Sequence, residues 1–101
     1  MLKSMAKQEF DEIIHAPNRL MICSFLYPIE FGEFQTIRDE LEVSDSVLSK
    51  HLKSLEKAGY IRHKRGSENG KKKSWISLTP QGRKAFLLHV IKLRQLISED
   101  P

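Results

Sequence analysis

The chain is poor in cysteine and in long apolar runs. Cys23 is the single cysteine among 101 residues, which excludes an intramolecular disulfide framework and supplies no cysteine pair for zinc. No apolar run approaches the roughly 18 residues that span a bilayer, and the segment from Met1 to Met5 lacks the features of a secretion signal. We therefore expect a cytoplasmic protein with no membrane association.

The sequence also lacks the usual arrangements of catalytic groups. It has no Ser/His/Asp order, no glycine-rich phosphate loop and no carboxylate pair tied to a cleft. The four histidines (His15, His51, His63 and His89) share no ligand spacing, and Cys23 is expected to be a small core residue in an apolar helix. The sequence therefore predicts no enzyme, no metal site and no cofactor.

Positive charge is concentrated in one part of the chain. Residues 50 to 84 carry eleven basic and two acidic side chains, whereas residues 1 to 49 carry four basic and nine acidic ones. The net charge of +4 therefore conceals a stretch of +9, and a localised basic surface is typical of a protein that binds a polyanion.

Apolar periodicity and helix-ending residues predict one domain over residues 1–101, of the α+β class and mainly α. Ser44 is expected to cap the fourth helix, and Gly59 to end it in the left-handed conformation. Asn69-Gly70 is a turn signal within a hairpin. The predicted helices are residues 4–16, 18–26, 35–41, 45–58 and 80–98, and the predicted strands are 61–65 and 74–78, with 66–73 as their connecting loop.

The fourth predicted helix has two chemically different sides. At 100° per residue its leucines (Leu48, Leu52, Leu55) face inward, and serine and lysine side chains face outward. Such a polar face suits a major groove, although a charged face is also typical of a solvated helix. The short helix and tight turn before it favour the helix-turn-helix interpretation.

The hairpin permits two interpretations as well. The run Lys71-Lys72-Lys73 is typical either of a soluble loop tip or of a basic projection that reaches phosphates or the minor groove. Trp75 is expected to anchor the hairpin or the core rather than to stack on bases, because single-strand binders usually carry several aromatic platforms.

The stretch from Val43 to Ile61 resembles the recognition helix of winged-helix repressors of the MarR and ArsR type. The specific part is the spacing Ser49-x-His51-Leu52-x-x-Leu55-x-x-Ala58-Gly59. Arg19-Leu20-x-Ile22 and Leu78-Thr79-Pro80-x-Gly82 fit the same family pattern, so the resemblance covers roughly residues 16 to 86.

The resemblance implies a winged helix-turn-helix with a two-stranded wing, in a homodimeric regulator that binds palindromic double-stranded DNA, and we expect a repressor. The cysteine pairs of the metal-sensing branch are missing, and no small-molecule effector is assigned. By position, DNA contacts are implied for the helix at Ser44, Ser46, Ser49, Lys50, His51 and Lys53, and for the wing at Arg65, Lys71, Lys72 and Lys73.

The last predicted helix carries more apolar side chains than the core of so small a domain can bury. We therefore expect the N- and C-terminal helices to form a homodimer interface. Its predicted residues are Met5, Phe10, Phe86, Leu87, Val90, Ile91, Leu93, Leu96 and Ile97.

A different class of function is a winged-helix module that docks an acidic protein partner through the basic hairpin. A protein-docking helix should expose aromatic or large apolar anchors. The outer face at residues 45–58 instead carries serine and lysine, which favours DNA.

Overall fold

The structure is a computed structural model, and it describes residues 10–97. These residues form mainly helices with one antiparallel sheet of three strands in the order β1-β3-β2, which confirms the predicted fold class. The elements are α1 (Glu12–His15), α2 (Pro17–Leu26), β1 (Gly32–Glu33), α3 (Phe34–Leu41), α4 (Asp45–Lys57), β2 (Ile61–Glu68), β3 (Lys71–Leu78) and α5 (Pro80–Ile97).

Local chemistry fixes the ends of α4. The Ser44 hydroxyl accepts a hydrogen bond from the Val47 amide at 3.2 Å, so it satisfies an otherwise unpaired donor of the first turn. Gly59 follows the helix with φ +82°, a conformation that costs a side-chain-bearing residue energy. The sequence therefore predicted both ends of α4 to within one residue.

The first predicted helix is confirmed only at Glu12–His15 within the part that the structure describes. Phe10, Asp11 and Ala16 are not helical, and α1 has four residues. The Asp11 carboxylate accepts hydrogen bonds from the Ile13 and Ile14 amides, so it caps a helix that begins after it. Pro17 favours extended backbone at Ala16. Residues 4–9 of the predicted helix, Met5 included, lie outside the described residues.

The hairpin is longer than predicted, and its loop has only two residues. Strands β2 and β3 pair from Ile61↔Leu78 to Glu68↔Lys71. Asn69 and Gly70 both have positive φ, 54° and 77°, as a type I′ turn requires. The prediction of a loop at 66–73 was wrong because the lysine run was interpreted as loop, although Asn-Gly alone closes the turn. A short third strand, β1, pairs with β3 and was not predicted.

The core lies between the helices and the inner face of the sheet. Cys23 is fully buried, as expected, and burial raises the pKa of its thiol to about 12. Phe86 is 8% exposed and belongs to this core, where its ring lies 5.4 Å from that of Tyr27. The other buried apolar residues are Ile14, Ile22, Leu26, Ile37, Leu48, Leu52, Leu55, Ile61, Ile76 and Leu78.

Two histidines connect α1 to α5. His15 Nδ1 lies 3.2 Å from His89 Nε2, and the Phe10 ring stacks on that of His15 with centroids 4.8 Å apart. His89 is 1% exposed, and its Nδ1 has no hydrogen-bond partner within residues 10–97. Burial, followed by the nearby His15, lowers the pKa of His89, and the Asp11 carboxylate opposes this shift.

Stability is therefore expected to fall below about pH 6.5, the ordinary pKa of an unfolded histidine. The unfolded chain binds a proton at residue 89 more readily than the folded chain does. The contribution of uncharged His89 to stability is complete above pH 6.5 and is lost as pH falls through the lowered pKa of His89 in the folded chain. Urea unfolding at pH 7.5 and 5.5 should show a larger loss for the wild type than for His89→Gln. Equal losses would contradict this, since His51 and His63 titrate in both proteins.

Candidate nucleic-acid interface

Helix α4 presents a polar face to solvent. Leu48, Leu52 and Leu55 are buried beneath it, so the intervening side chains point outward. An ion pair of 2.8 Å between Arg38 Nη1 and Asp45 Oδ1 joins α3 to the first turn of α4. Of the predicted DNA contacts on this element, Ser44, Ser46, Ser49, Lys50 and Lys53 are exposed.

His51 is placed differently from the other predicted contacts on α4. It is half-buried, with Arg19 Nη1 at 3.3 Å from Nδ1 and Asn18 Nδ2 at 3.4 Å from Nε2. Burial, followed by the positive charges of Arg19 and Lys50, lowers its pKa. At neutral pH it is therefore an uncharged ring that contacts α2, rather than a further cation on the face.

A cleft of about 750 Å³ separates α4 from the wing, which we define as β2, β3 and their turn. Ser49 lies on its helical side, and Arg65 and Lys72 lie on its wing side. Arg65 Nη2 is 3.9 Å from Glu56 Oε1, and both side chains remain largely exposed, so this pair is weak. The cleft therefore combines hydroxyl groups and exposed cations, which suits a phosphate backbone.

Two of the predicted wing contacts belong to the other face of the hairpin. Because side chains alternate along β3, Lys71 and Lys73 lie on one face of the hairpin, and Lys72 and Ser74 lie on the other. Lys73 Nζ lies 3.1 Å from Glu33 Oε2 and 2.8 Å from Glu68 Oε1, so two carboxylates neutralise it. Lys73 lines the cleft together with Arg65 and Lys72, but its ammonium group is held by Glu33 and Glu68.

The cleft is also lined by six polar residues that sequence reasoning did not assign to the site. They are Glu33, Gln35, Arg38, Asp45, His63 and Ser74. His63 stacks on Phe34 at 6.4 Å between centroids, and its Nε2 has no hydrogen-bond partner in the described part of the chain. Burial and then Arg65 lower its pKa. Alternation from the buried Ile61 was the one signal that could have placed His63 on the inner face.

The predicted dimer residues fall into three groups. Leu87 and Ile91 are 45% and 41% exposed, and Leu96 and Ile97 are also exposed. Phe10, Val90 and Leu93 are half-buried. The placement of Phe86 differs from the prediction. Its side chain fills the monomer's own core and has little surface left for a partner.

Other kinds of site find no support in residues 10–97. No group of three or more histidine, cysteine, aspartate or glutamate side chains there could hold a metal ion. Within the same residues, no helix combines the length and apolar character needed to cross a bilayer.

Comparison with known proteins gives the family. The family model for the winged helix DNA-binding domain matches the sequence of residues 18–97. These residues include both sides of the cleft. The chain belongs to the winged helix DNA-binding domain family. It is also 33% identical over 85 residues to the uncharacterized protein MJ0432 of Methanocaldococcus jannaschii, which covers 84% of this chain and 92% of that protein.

Solved structures show the same fold. A transcriptional regulator homologue from Pyrococcus horikoshii OT3 superposes with a TM-score of 0.80 at 23% identity, over 86% of each chain. MepR from S. aureus, solved in complex with DNA, superposes with a TM-score of 0.74 at 18% identity, over 96% of this chain and 79% of MepR. The arrangement of helices, sheet and wing in this chain is therefore the fold of these solved structures.

Proposed function

We propose that this chain is a homodimeric, sequence-specific regulator of transcription that binds palindromic double-stranded DNA and represses. The observation that carries the proposal is the exposed serine and lysine face of α4 beside the cleft of the wing. Family membership supports DNA as the ligand, and the MepR–DNA complex is an example on the same fold. The DNA-binding residues are proposed to be Ser44, Ser46, Ser49, Lys50, Lys53, Arg65 and Lys72, with Lys71 reaching a neighbouring phosphate.

The proposed division of labour follows from the two surfaces. Short hydroxyl and lysine side chains on α4 suit the donors and acceptors of base edges. Arg65 and Lys72 on the wing suit phosphates, which fix the position of the domain without reading sequence. His51 is proposed to position α4 against α2 through Asn18 and Arg19. The chain is proposed to work in the cytoplasm as one domain without catalysis or a cofactor.

The homodimer is proposed to form through α5. The helix buries Phe86 and His89 in the monomer, whereas Leu87, Leu88 and Ile91 stay at least 41% exposed. At 100° per residue these three lie within about 100° of one another, which is the width of one helix-packing stripe. A two-fold axis beside this stripe would place two copies of α4 on successive major grooves, about 34–36 Å apart.

Leu87→Glu combined with Ile91→Glu is expected to convert the dimer to a monomer, because two carboxylates would be buried without partners. Light scattering at micromolar concentration should give twice the chain mass for the wild type and the single chain mass for the variant. With a duplex present, the wild type should bind as two chains per duplex.

Met21→Glu combined with Ser24→Glu is the matched control. Both positions are exposed on α2 rather than on α5, so the same added charge should leave the mass doubled. A wild-type monomer would refute the dimer, and dissociation by the control pair would refute the assignment to α5.

A further inference from the structure

The face of the wing that points away from α4 contributes only Lys71, beside the hairpin turn, to the proposed DNA interface. We define the outer wing face as Phe31, Arg62, Lys64, Trp75 and Ser77, with Glu30 at its rim; all six line one cleft of about 670 Å³. Strand pairing places Lys64 opposite Trp75 and Arg62 opposite Ser77. Because side chains alternate along a strand, this face lies opposite the buried Ile61 and Ile76.

The outer wing face has two aromatic walls. Phe31 is 56% exposed, and Trp75 is half-buried. A Cβ on Gly66 would lie 3.2 Å from Trp75 Cζ3, so the indole lies directly against the backbone of β2. The sheet therefore holds Trp75 in place without covering the cleft, as a preformed apolar site requires. Trp75 anchors the hairpin, as predicted, but on its outer face rather than in the core.

The charges on this face are unequal. Arg62 and Lys64 are exposed, and neither has an ion-pair partner among residues 10–97, in contrast to Lys73 with its two carboxylates. Glu30 is the one carboxylate that lines the cleft in the described structure. An aromatic cleft beside two unpaired cations is complementary to an apolar side chain flanked by carboxylates.

We propose that the outer wing face docks an acidic segment of another protein. An aromatic or large aliphatic side chain of that segment sits between Phe31 and Trp75, and its flanking carboxylates pair with Arg62 and Lys64. Because α4 and its cleft lie on the opposite face of the hairpin, the segment and a DNA duplex bind together. This last statement rests on the proposed DNA-binding function, whereas docking itself does not.

Selection of displayed random peptides on the full-length protein, alone and with a bound duplex, tests the proposal. Selected peptides should share aspartate or glutamate next to an aromatic or aliphatic residue. Trp75 is the single tryptophan of the chain, so its emission reports directly on a synthetic copy of the selected peptide. Titration of this peptide into the protein should shift the Trp75 emission both with and without the duplex.

Two matched double variants separate this face from the DNA interface. Arg62→Gln with Lys64→Gln should weaken peptide binding by about tenfold or more and leave duplex affinity unchanged. Lys50→Gln with Lys53→Gln removes the same charge from α4. This pair should weaken duplex binding and leave peptide affinity unchanged. Phe31→Ser is expected to weaken peptide binding as well, and it changes a side chain that is 56% exposed.

Three results would overturn the proposal. One is a selection without acidic enrichment. Another is a selected peptide whose affinity survives both Arg62→Gln with Lys64→Gln and Phe31→Ser. The third is displacement of the peptide by a duplex or by a single-stranded oligonucleotide together with a shift of Trp75 emission, which would assign the face to nucleic acid. If the proposed DNA-binding function failed and docking held, duplex titrations would show no binding while the peptide still bound.

Discussion

Gly82→Ala is expected to lower the free energy of unfolding by about 3 kcal/mol or more. A Cβ at this position would lie 2.0 Å from the Tyr60 carbonyl oxygen and 2.8 Å from its carbonyl carbon. Both atoms are backbone, so no side-chain rotation can relieve the overlap. Helix α5 must move away from the end of α4 to accommodate the methyl group.

That movement would break a small hydrogen-bond network. The Thr79 amide donates to the Tyr60 carbonyl at 3.0 Å. The Thr79 hydroxyl donates to the Gly59 carbonyl at 2.7 Å and accepts from the Gly82 amide at 2.9 Å. These bonds join the proposed dimer helix to the end of α4, so we expect the variant to lose duplex affinity as well as stability.

Gly70→Ala is the matched control for Gly82→Ala in urea unfolding. A Cβ on Gly70 would meet nothing within 4 Å, and the residue differs from an ordinary one only in its φ of +77°. The cost should therefore be only about 1–2 kcal/mol of backbone strain. Equal losses for the two variants would show that close approach at Gly82 does not limit the packing of α5.

Lys50→Gln combined with Lys53→Gln is expected to weaken binding of the preferred duplex by roughly 100-fold. Each lysine lies on the exposed face of α4, and each lost contact to DNA costs on the order of 1–2 kcal/mol. Both positions are exposed, so urea unfolding should be unchanged. Fluorescence anisotropy with a labelled duplex measures the effect.

Lys71→Gln with Lys72→Gln gives the comparison that separates groove from backbone contacts. Loss of two phosphate contacts should reduce the slope of log affinity against log salt by about two and weaken all duplexes similarly. The α4 pair should instead reduce the preference for the selected sequence. Unchanged duplex affinity in the α4 variant would contradict the groove model.

Helix α4 could be predicted almost completely because its signals are local. Ser44 as a cap, three leucines on one side and Gly59 at the end lie within one short stretch of sequence. The family pattern Leu78-Thr79-Pro80-x-Gly82 was also visible in the sequence. Its physical reason is the approach of α5 to the Tyr60 backbone, which only the folded chain reveals.

The remaining features depend on contacts between distant residues. His15 and His89 are 74 positions apart and meet at 3.2 Å, and no spacing rule predicts such a pair. Lys73 was assigned to DNA from its place in a lysine run, whereas Glu33 from β1 neutralises it. The apolar width of α5 predicted an excess of apolar surface, but it did not distinguish Phe86, which is in the core, from Leu87, which is exposed.

The central claim is that two copies of α4 read one palindromic duplex. Selection of bound duplexes from a random pool tests it most directly. We predict an inverted repeat with half-site centres about 10 base pairs apart, or a multiple of that spacing, and no enrichment of it by the Lys50→Gln, Lys53→Gln variant. A bound pool without any shared motif, or with one unpaired half-site, would contradict the account.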